Sequence, residues 1–155
     1  MPNIYTTPGF LGTRALLLSD ITLVLIILSS TLFTIGWRLA VGKHYEIHRW
    51  VQTTAAAINA LIVITVMIKS FLIFVLPGLP AKFFEGSYGI TTVHAFIGAI
   101  GLTLGIFVDL RGNGLVPKAV QFNDYKLFMR TAYAIYMIST ALGIALYIIV
   151  YIYGL

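Results

Sequence analysis

The sequence predicts an all-α membrane protein, a four-transmembrane-helix antiparallel bundle, and three observations carry that expectation. Of its 155 residues, 59% are hydrophobic and 10% are charged, against about 25% charged in a soluble domain. Four windows, about 15–37, 51–75, 88–110 and 129–153, reach the roughly 20 mostly apolar residues that a helix needs to cross a bilayer. The prolines, Pro2, Pro8, Pro77, Pro80 and Pro117, all fall outside these windows, as required where each span must satisfy its own backbone in lipid. Too little polar surface remains to cover an aqueous globule.

The first window, Ala15 to Trp37, lacks a basic cluster ahead of it and contains Asp20, so it reads as a helix of the mature chain and not as a cleavable signal. The second, Val51 to Val75, is closed by Pro77-Gly78. The third, Tyr88 to Leu110, and the fourth, Met129 to Tyr153, complete the set. The linkers 38–50, 76–87 and 111–128 are short, which sets neighbouring helices antiparallel in one integral membrane domain, 1–155. The chain has no cysteine, which excludes disulfides, thiolate metal sites and thiol catalysis. Histidine, carboxylate and tyrosine are left as ligands or proton carriers.

The net charge of +5 is read by position. Arg38, Lys43, Arg49, Arg111, Lys118, Lys126 and Arg130 surround the first and third linkers, against Arg14, Lys69 and Lys82 on the other side. That bias places the first and third linkers in the cytoplasm and both termini outside. Trp37 and Trp50 match an interfacial aromatic belt, and the basic residues suit anionic lipid. No soluble basic face exists, so no nucleic-acid partner is expected.

Helical spacing predicts the inner faces. On the first span it groups Asp20, Val24, Ile27, Thr31, Thr34 and Arg38, and on the second His48, Gln52, Asn59, Val66 and Lys69, with Ala55 and Ala56 between. On the third it groups His94, Gly98, Gly101 and Gly105, the last two forming a GxxxG, and on the fourth Tyr136, Thr140, Gly143 and Tyr147. At a rise of about 1.5 Å per residue, Asp20, Lys69, His94 and Tyr147 lie level, roughly 8 to 9 Å below the outer surface. Two readings of this cluster follow. One is an Asp20–Lys69 ion pair that fixes register, or a Lys69 that snorkels outward. The other is a polar pocket opening outward that holds a quinone headgroup, a metal or haem edge, or a proton in transit.

His44 and His48 are four residues apart and share a helical face as candidate metal ligands, together with His94. Glu46 stands two residues after His44, not next to it, so the zinc-protease pattern is absent. His48 and His94 begin at opposite ends of their spans, too far apart to ligate one haem as a pair. Asp109 is placed to pair with Arg130 or Arg49. No phosphate loop, Ser-His-Asp set or carboxylate pair is present, so no catalytic constellation is assigned.

His48-Arg49 with Gln52, Val93-His94, and Arg130 to Tyr136 running on to Gly143 and Tyr147 together resemble the four-helix membrane family catalogued as domain of unknown function 420. That family includes a maturation factor for haem-copper cytochrome oxidase. The resemblance covers about Lys43 to Ile149, and Tyr125-Lys126 stands where the family carries a third histidine. It implies a non-catalytic integral membrane subunit or assembly factor of a bacterial energy-transducing complex, respiratory oxidase or photosynthetic, seated in the cytoplasmic membrane beside a larger membrane protein complex and lipids. Haem, quinone or copper are the cofactors it admits, and none is required. The alternatives are an electron-transfer protein holding haem or quinone at His94, and a small proton-coupled transporter using Asp20, Lys69 and His94.

Overall fold

The computed structural model describes residues 6–121 and 124–154. Four helices are long and apolar enough to cross a membrane: α1 (Leu17–Val41), α2 (Tyr45–Gly78), α3 (Tyr88–Gly112) and α4 (Tyr125–Tyr153). α1 packs mainly on α2 and α3 on α4, and looser α1–α4 and α2–α3 contacts close the antiparallel ring. The connections α1–α2 and α3–α4 lie at one end of the bundle, called here the linker end. The N-terminal segment and the end of α4 meet at the other, the termini end.

Every predicted span lies in one of these helices, with Ala15 and Leu16 just ahead of α1, but the helices run longer than the apolar windows. Hydropathy marks the part of a helix that suits lipid, whereas backbone hydrogen bonding continues into the interface. The first linker shrinks accordingly to a turn. His44 N–H reaches Leu39 C=O at 2.9 Å and Lys43 N–H reaches Ala40 C=O at 3.1 Å, with Lys43 in the left-handed region at φ 64°, a Schellman stop. α3 stops in the same way: Leu115 N–H meets Leu110 C=O at 2.9 Å and Gly114 N–H meets Arg111 C=O at 3.0 Å. Gly114, at φ 74°, takes the left-handed position there.

The interior is small and polar while the large apolar side chains face outward. Buried positions include Ala55, Ala132, Ser29, Ser30, Asn59, Ser139 and Thr140, and exposed ones include Phe74, Phe96, Trp50 and Ile73. This is the arrangement expected where lipid solvates the outside and helices associate by close approach of small residues. The α3–α4 seam displays it as a ladder. His94 sits in the notch at Gly143, a Cβ on Gly98 would lie 3.2 Å from Ser139 Oγ, and one on Gly101 would lie 3.2 Å from Ile135 Cγ2. The predicted glycine face of α3 is therefore a packing face as far as Gly101.

Two of the other predicted faces need correction. On α1, Val24, Ile27 and Thr31 point outward, and the buried line is Asp20, Ile26, Ser29, Ser30 and Gly36. Thr31 is satisfied by its own helix, its hydroxyl on Ile27 C=O at 2.8 Å, and a threonine satisfied in that way does not mark an inner face. Thr34, which also bonds its own helix at Ser30 C=O, does face inward and meets the Tyr133 hydroxyl of α4 at 3.0 Å. On α2 the expected line holds through Ala55 and Asn59, continues at Ile62, then drifts. π-helical turns at Val63–Met67 and Phe71–Val75 widen the helix, and the 3.6-residue spacing loses phase there. Lys69, between them, is rotated outward and exposed.

Gly101→Leu should lower stability by about 1–3 kcal/mol through overpacking against Ile135. Gly105→Ala, whose added Cβ meets nothing within 4 Å, should leave stability unchanged or raise it by up to about 1 kcal/mol. Thermal unfolding of the two variants in detergent checks the contrast.

Candidate functional site

At the termini end the chain ahead of α1 folds back over the bundle. Pro8 bridges Leu16, Gly9 N–H donates to Ala15 C=O at 2.9 Å and Leu17 N–H to Thr7 C=O at 2.9 Å. Asp20 lies beneath this loop with no exposure. Its carboxylate only accepts: Tyr147 O–H donates to Oδ1 at 2.5 Å, Leu11 N–H donates to Oδ2 at 2.8 Å, and the Phe10 amide adds to them. Since Tyr147 spends its proton on Asp20, Thr13 must donate to the Tyr147 oxygen, at 2.8 Å. Ala15 N–H in turn donates to Thr13 Oγ1 at 3.2 Å. Arg14 N–H on Tyr151 C=O at 3.2 Å fastens the same loop to the last turn of α4, and Ser19 of α1 meets the Tyr151 hydroxyl at 3.0 Å.

Of the four residues predicted to form an outer cluster, the structure joins Asp20 and Tyr147 alone among the described residues. Lys69 is turned away by the π-helical phase slip, and no Asp20–Lys69 ion pair forms. His94 lies deeper, on the α3–α4 seam, where its Nδ1 donates to Ser139 C=O at 3.1 Å. The outward-opening pocket expected around these residues is filled instead by the N-terminal loop. Asp20, Lys69 and His94 thus have separate surroundings in the structure.

The open space lies at the linker end. A cavity of about 1040 Å³ extends between all four helices from a mouth at Tyr45, Arg49 and Lys126 to a floor at Asn59 and Tyr136. Small residues create the space: Gly105, Ala56 and Ala132 line it, and the site of a Cβ on Gly105 is open. Aromatic rings form the walls. Phe33 stands edge-on to Tyr136 at 4.6 Å and Trp37 stacks on Tyr133 at 5.9 Å between centroids. Tyr133 is held by Thr34 at 3.0 Å. On the α2–α3 side Thr53 O–H donates to Asp109 Oδ1 and Asn113 Nδ2 to Thr53 Oγ1, both at 2.9 Å. Asp109 thus takes a threonine, not the arginine partner expected of it.

Polar groups at and behind the floor of this cavity are incompletely paired among the described residues. Asn59 is 8% exposed, lines the floor, and its amide makes no hydrogen bond among the described residues. The Tyr136 hydroxyl lies beside Ser29 and Thr140, and all three oxygens are buried without a well-formed hydrogen bond.

The predicted metal ligands separate as well. His44 caps the exposed start of α2 over Gly42. His48 faces the cavity with Nδ1 2.7 Å from Gly36 C=O, and because a carbonyl only accepts, Nδ1 carries the proton. His48 and His94 are therefore wired alike, each pinned to a carbonyl of a neighbouring helix, but at different depths. Among the described residues no group of three His, Asp or Glu side chains gathers to hold a metal ion. Sequence reasoning missed the cavity because its signal is a set of small residues on several helices that do not pack, and pairwise spacing cannot distinguish those from small residues that do. Thr13 and Leu11 were missed because loop contacts to Asp20 have no periodicity.

No protein-family model, curated protein or solved structure matches the chain.

Tyr147→Phe should cost about 1.5–3 kcal/mol, the usual worth of a hydrogen bond to a charged group, and should expose residues 6–16 to proteolysis. Lys69→Met should stay within about 0.5 kcal/mol of the parent, as an exposed position outside the hydrogen-bond network. Unfolding curves in detergent and a limited-proteolysis time course check both.

Proposed function

We propose that this chain is a non-catalytic integral membrane subunit or assembly factor of a bacterial energy-transducing complex, holding an amphipathic cofactor in the linker-end cavity. The cavity carries this reading. It is at the upper end of the roughly 300–1000 Å³ typical of cofactor sites, it has aromatic walls, and its floor keeps the Asn59 amide unpartnered. The polar groups around it do not form a nucleophile, a base and an oxyanion site in register, so binding and not turnover is the chemistry they support. A bundle with little mass outside its four spans, and with Phe74, Phe96 and Trp50 on its surface, suits a larger membrane partner. The similarity of His48-Arg49, His94 and the Arg130–Tyr136 run to a family with an oxidase maturation factor points to the same setting.

In this reading the linker end, with Arg38, Lys43, Arg49, Lys118, Lys126 and Arg130, faces the bacterial cytoplasm and the termini end faces out. The absence of native cysteine makes the orientation directly testable. A membrane-impermeant maleimide applied to intact cells should label Glu85→Cys and should label Lys118→Cys only after permeabilisation. The reverse pattern overturns the orientation.

Gentle solubilisation followed by identification of neighbours and of bound small molecules tests the function. The expected result is co-purification with an oxidoreductase or reaction-centre assembly, together with an amphipathic cofactor that Gly105→Leu displaces. A chain that migrates alone and yields no such molecule overturns the proposal.

A further inference from the structure

Two side chains with unused ligating atoms line the linker-end cavity from different helices. His48, on α2, lines it with Nδ1–H committed to Gly36 C=O at 2.7 Å, which leaves the Nε2 lone pair without a partner among the described residues. A metal-ligating histidine is typically held in this way, its other ring nitrogen donating to a backbone carbonyl that fixes tautomer and orientation. Met129, on α4, lines the same cavity. In the ring α1–α2–α3–α4 these two helices are diagonal, so the cavity lies between them. His48 is three residues in from Tyr45 and Met129 four in from Tyr125. At about 1.5 Å per residue both lie roughly 5 to 6 Å inside the linker end of their helices.

We infer that the cavity is a b-type haem site with His48 Nε2 and Met129 Sδ as the axial ligands. The inference rests on the reading of this cavity as a cofactor site and names the cofactor. Histidine with methionine is an established axial set for haem iron. Trp37, Tyr133 and Gly105 line the same cavity and would border a macrocycle held between His48 and Met129. Its propionates fall toward the mouth, where Arg49, Lys126 and Arg130 outnumber the one uncommitted acid, Glu46. Charge-assisted bonds from such side chains suit carboxylates. His94 has the same Nδ1 wiring but faces the Gly143 notch and does not line the cavity, so it is not a ligand. His44 is not one either.

The test is spectroscopic and uses the full chain purified in detergent, as isolated and after titration with haemin. The parent should bind one haem per chain and give a six-coordinate low-spin spectrum, with a sharp α band on reduction by dithionite and the ferric charge-transfer band of sulfur ligation. Met129→Leu, close in volume, should retain haem but lose that band and shift to high spin. His48→Ala should weaken binding at least tenfold, with the low-spin spectrum restored by added imidazole, a rescue that a misfolded variant would not show. His94→Ala and His44→Ala should match the parent.

A folded parent that takes up no haem overturns the inference, and so does a haem spectrum unmoved by His48→Ala. Recovery of a quinone or lipid that Gly105→Leu displaces would overturn the haem assignment while the cavity stands as a ligand site. If Gly105→Leu displaces nothing and the chain carries no small molecule, the cofactor-site reading fails together with it.

Discussion

A carboxylate sealed from solvent, with no cation beside it among the described residues, must be surrounded by donors, and the architecture of the termini end follows from how Asp20 meets that requirement. Leaving it unsatisfied would cost several kcal/mol. One donor, Tyr147, comes from α4, which pins α1 to α4 at a fixed register. The others are backbone amides of the segment ahead of α1, which can reach the carboxylate only by folding back across the bundle mouth. Gly9 is part of this closure, since a Cβ there would collide with the Asp20 carboxylate. One buried charge therefore sets the α1–α4 contact and plugs this end, with Thr13 and Tyr151 as secondary fasteners.

The linker end obeys a different constraint. There a tight turn joins α1 to α2, and side-chain contacts hold the helices, Thr53–Asp109–Asn113 on one side and Tyr125 O–H to Val108 C=O at 3.0 Å on another. The glycine face of α3 changes its role along its length. Gly98 and Gly101 meet α4, and Gly105, one turn on, meets nothing within 4 Å. The same residue type thus closes the bundle at one level and opens it at the next. Beyond Gly105 the two helices meet again where Tyr125 reaches Val108, so the cavity opens between two levels of α3–α4 contact.

The four spans were legible in the sequence because lipid imposes one strong, local requirement on each. Pairings across the bundle were legible only where a residue type has few places to go. Asp20 and Tyr147 were grouped correctly by depth, and the His94–Gly98–Gly101 stripe was recognised from spacing. Lys69 was placed in that group by the same depth count and lies elsewhere, because two π-helical turns change the phase of α2 without a proline or glycine to announce them. Of the two α1 threonines placed on an inner face, Thr34 meets Tyr133 across the bundle while Thr31 is exposed and satisfied by its own helix. The cavity was illegible for a deeper reason. An unfilled volume is a property of four helices at once, and no residue in it is unusual on its own helix.

Together the two ends give the bundle a structural polarity that suits the proposed site. A site that admits a bulky amphipathic molecule must let its walls separate, yet a four-helix bundle that loosens along its whole length loses register. Here the order is supplied at one end by the Asp20 network and at mid-depth by the α3–α4 ladder, so the linker end can stay open without costing the fold its register. His48 belongs to this division of labour. Its Nδ1 bond to Gly36 ties α2 to α1 at the rim of the cavity, so the ring that faces the open space is itself part of the frame. A ligand engaging the other nitrogen would meet a side chain already oriented, with little further entropy to lose on binding.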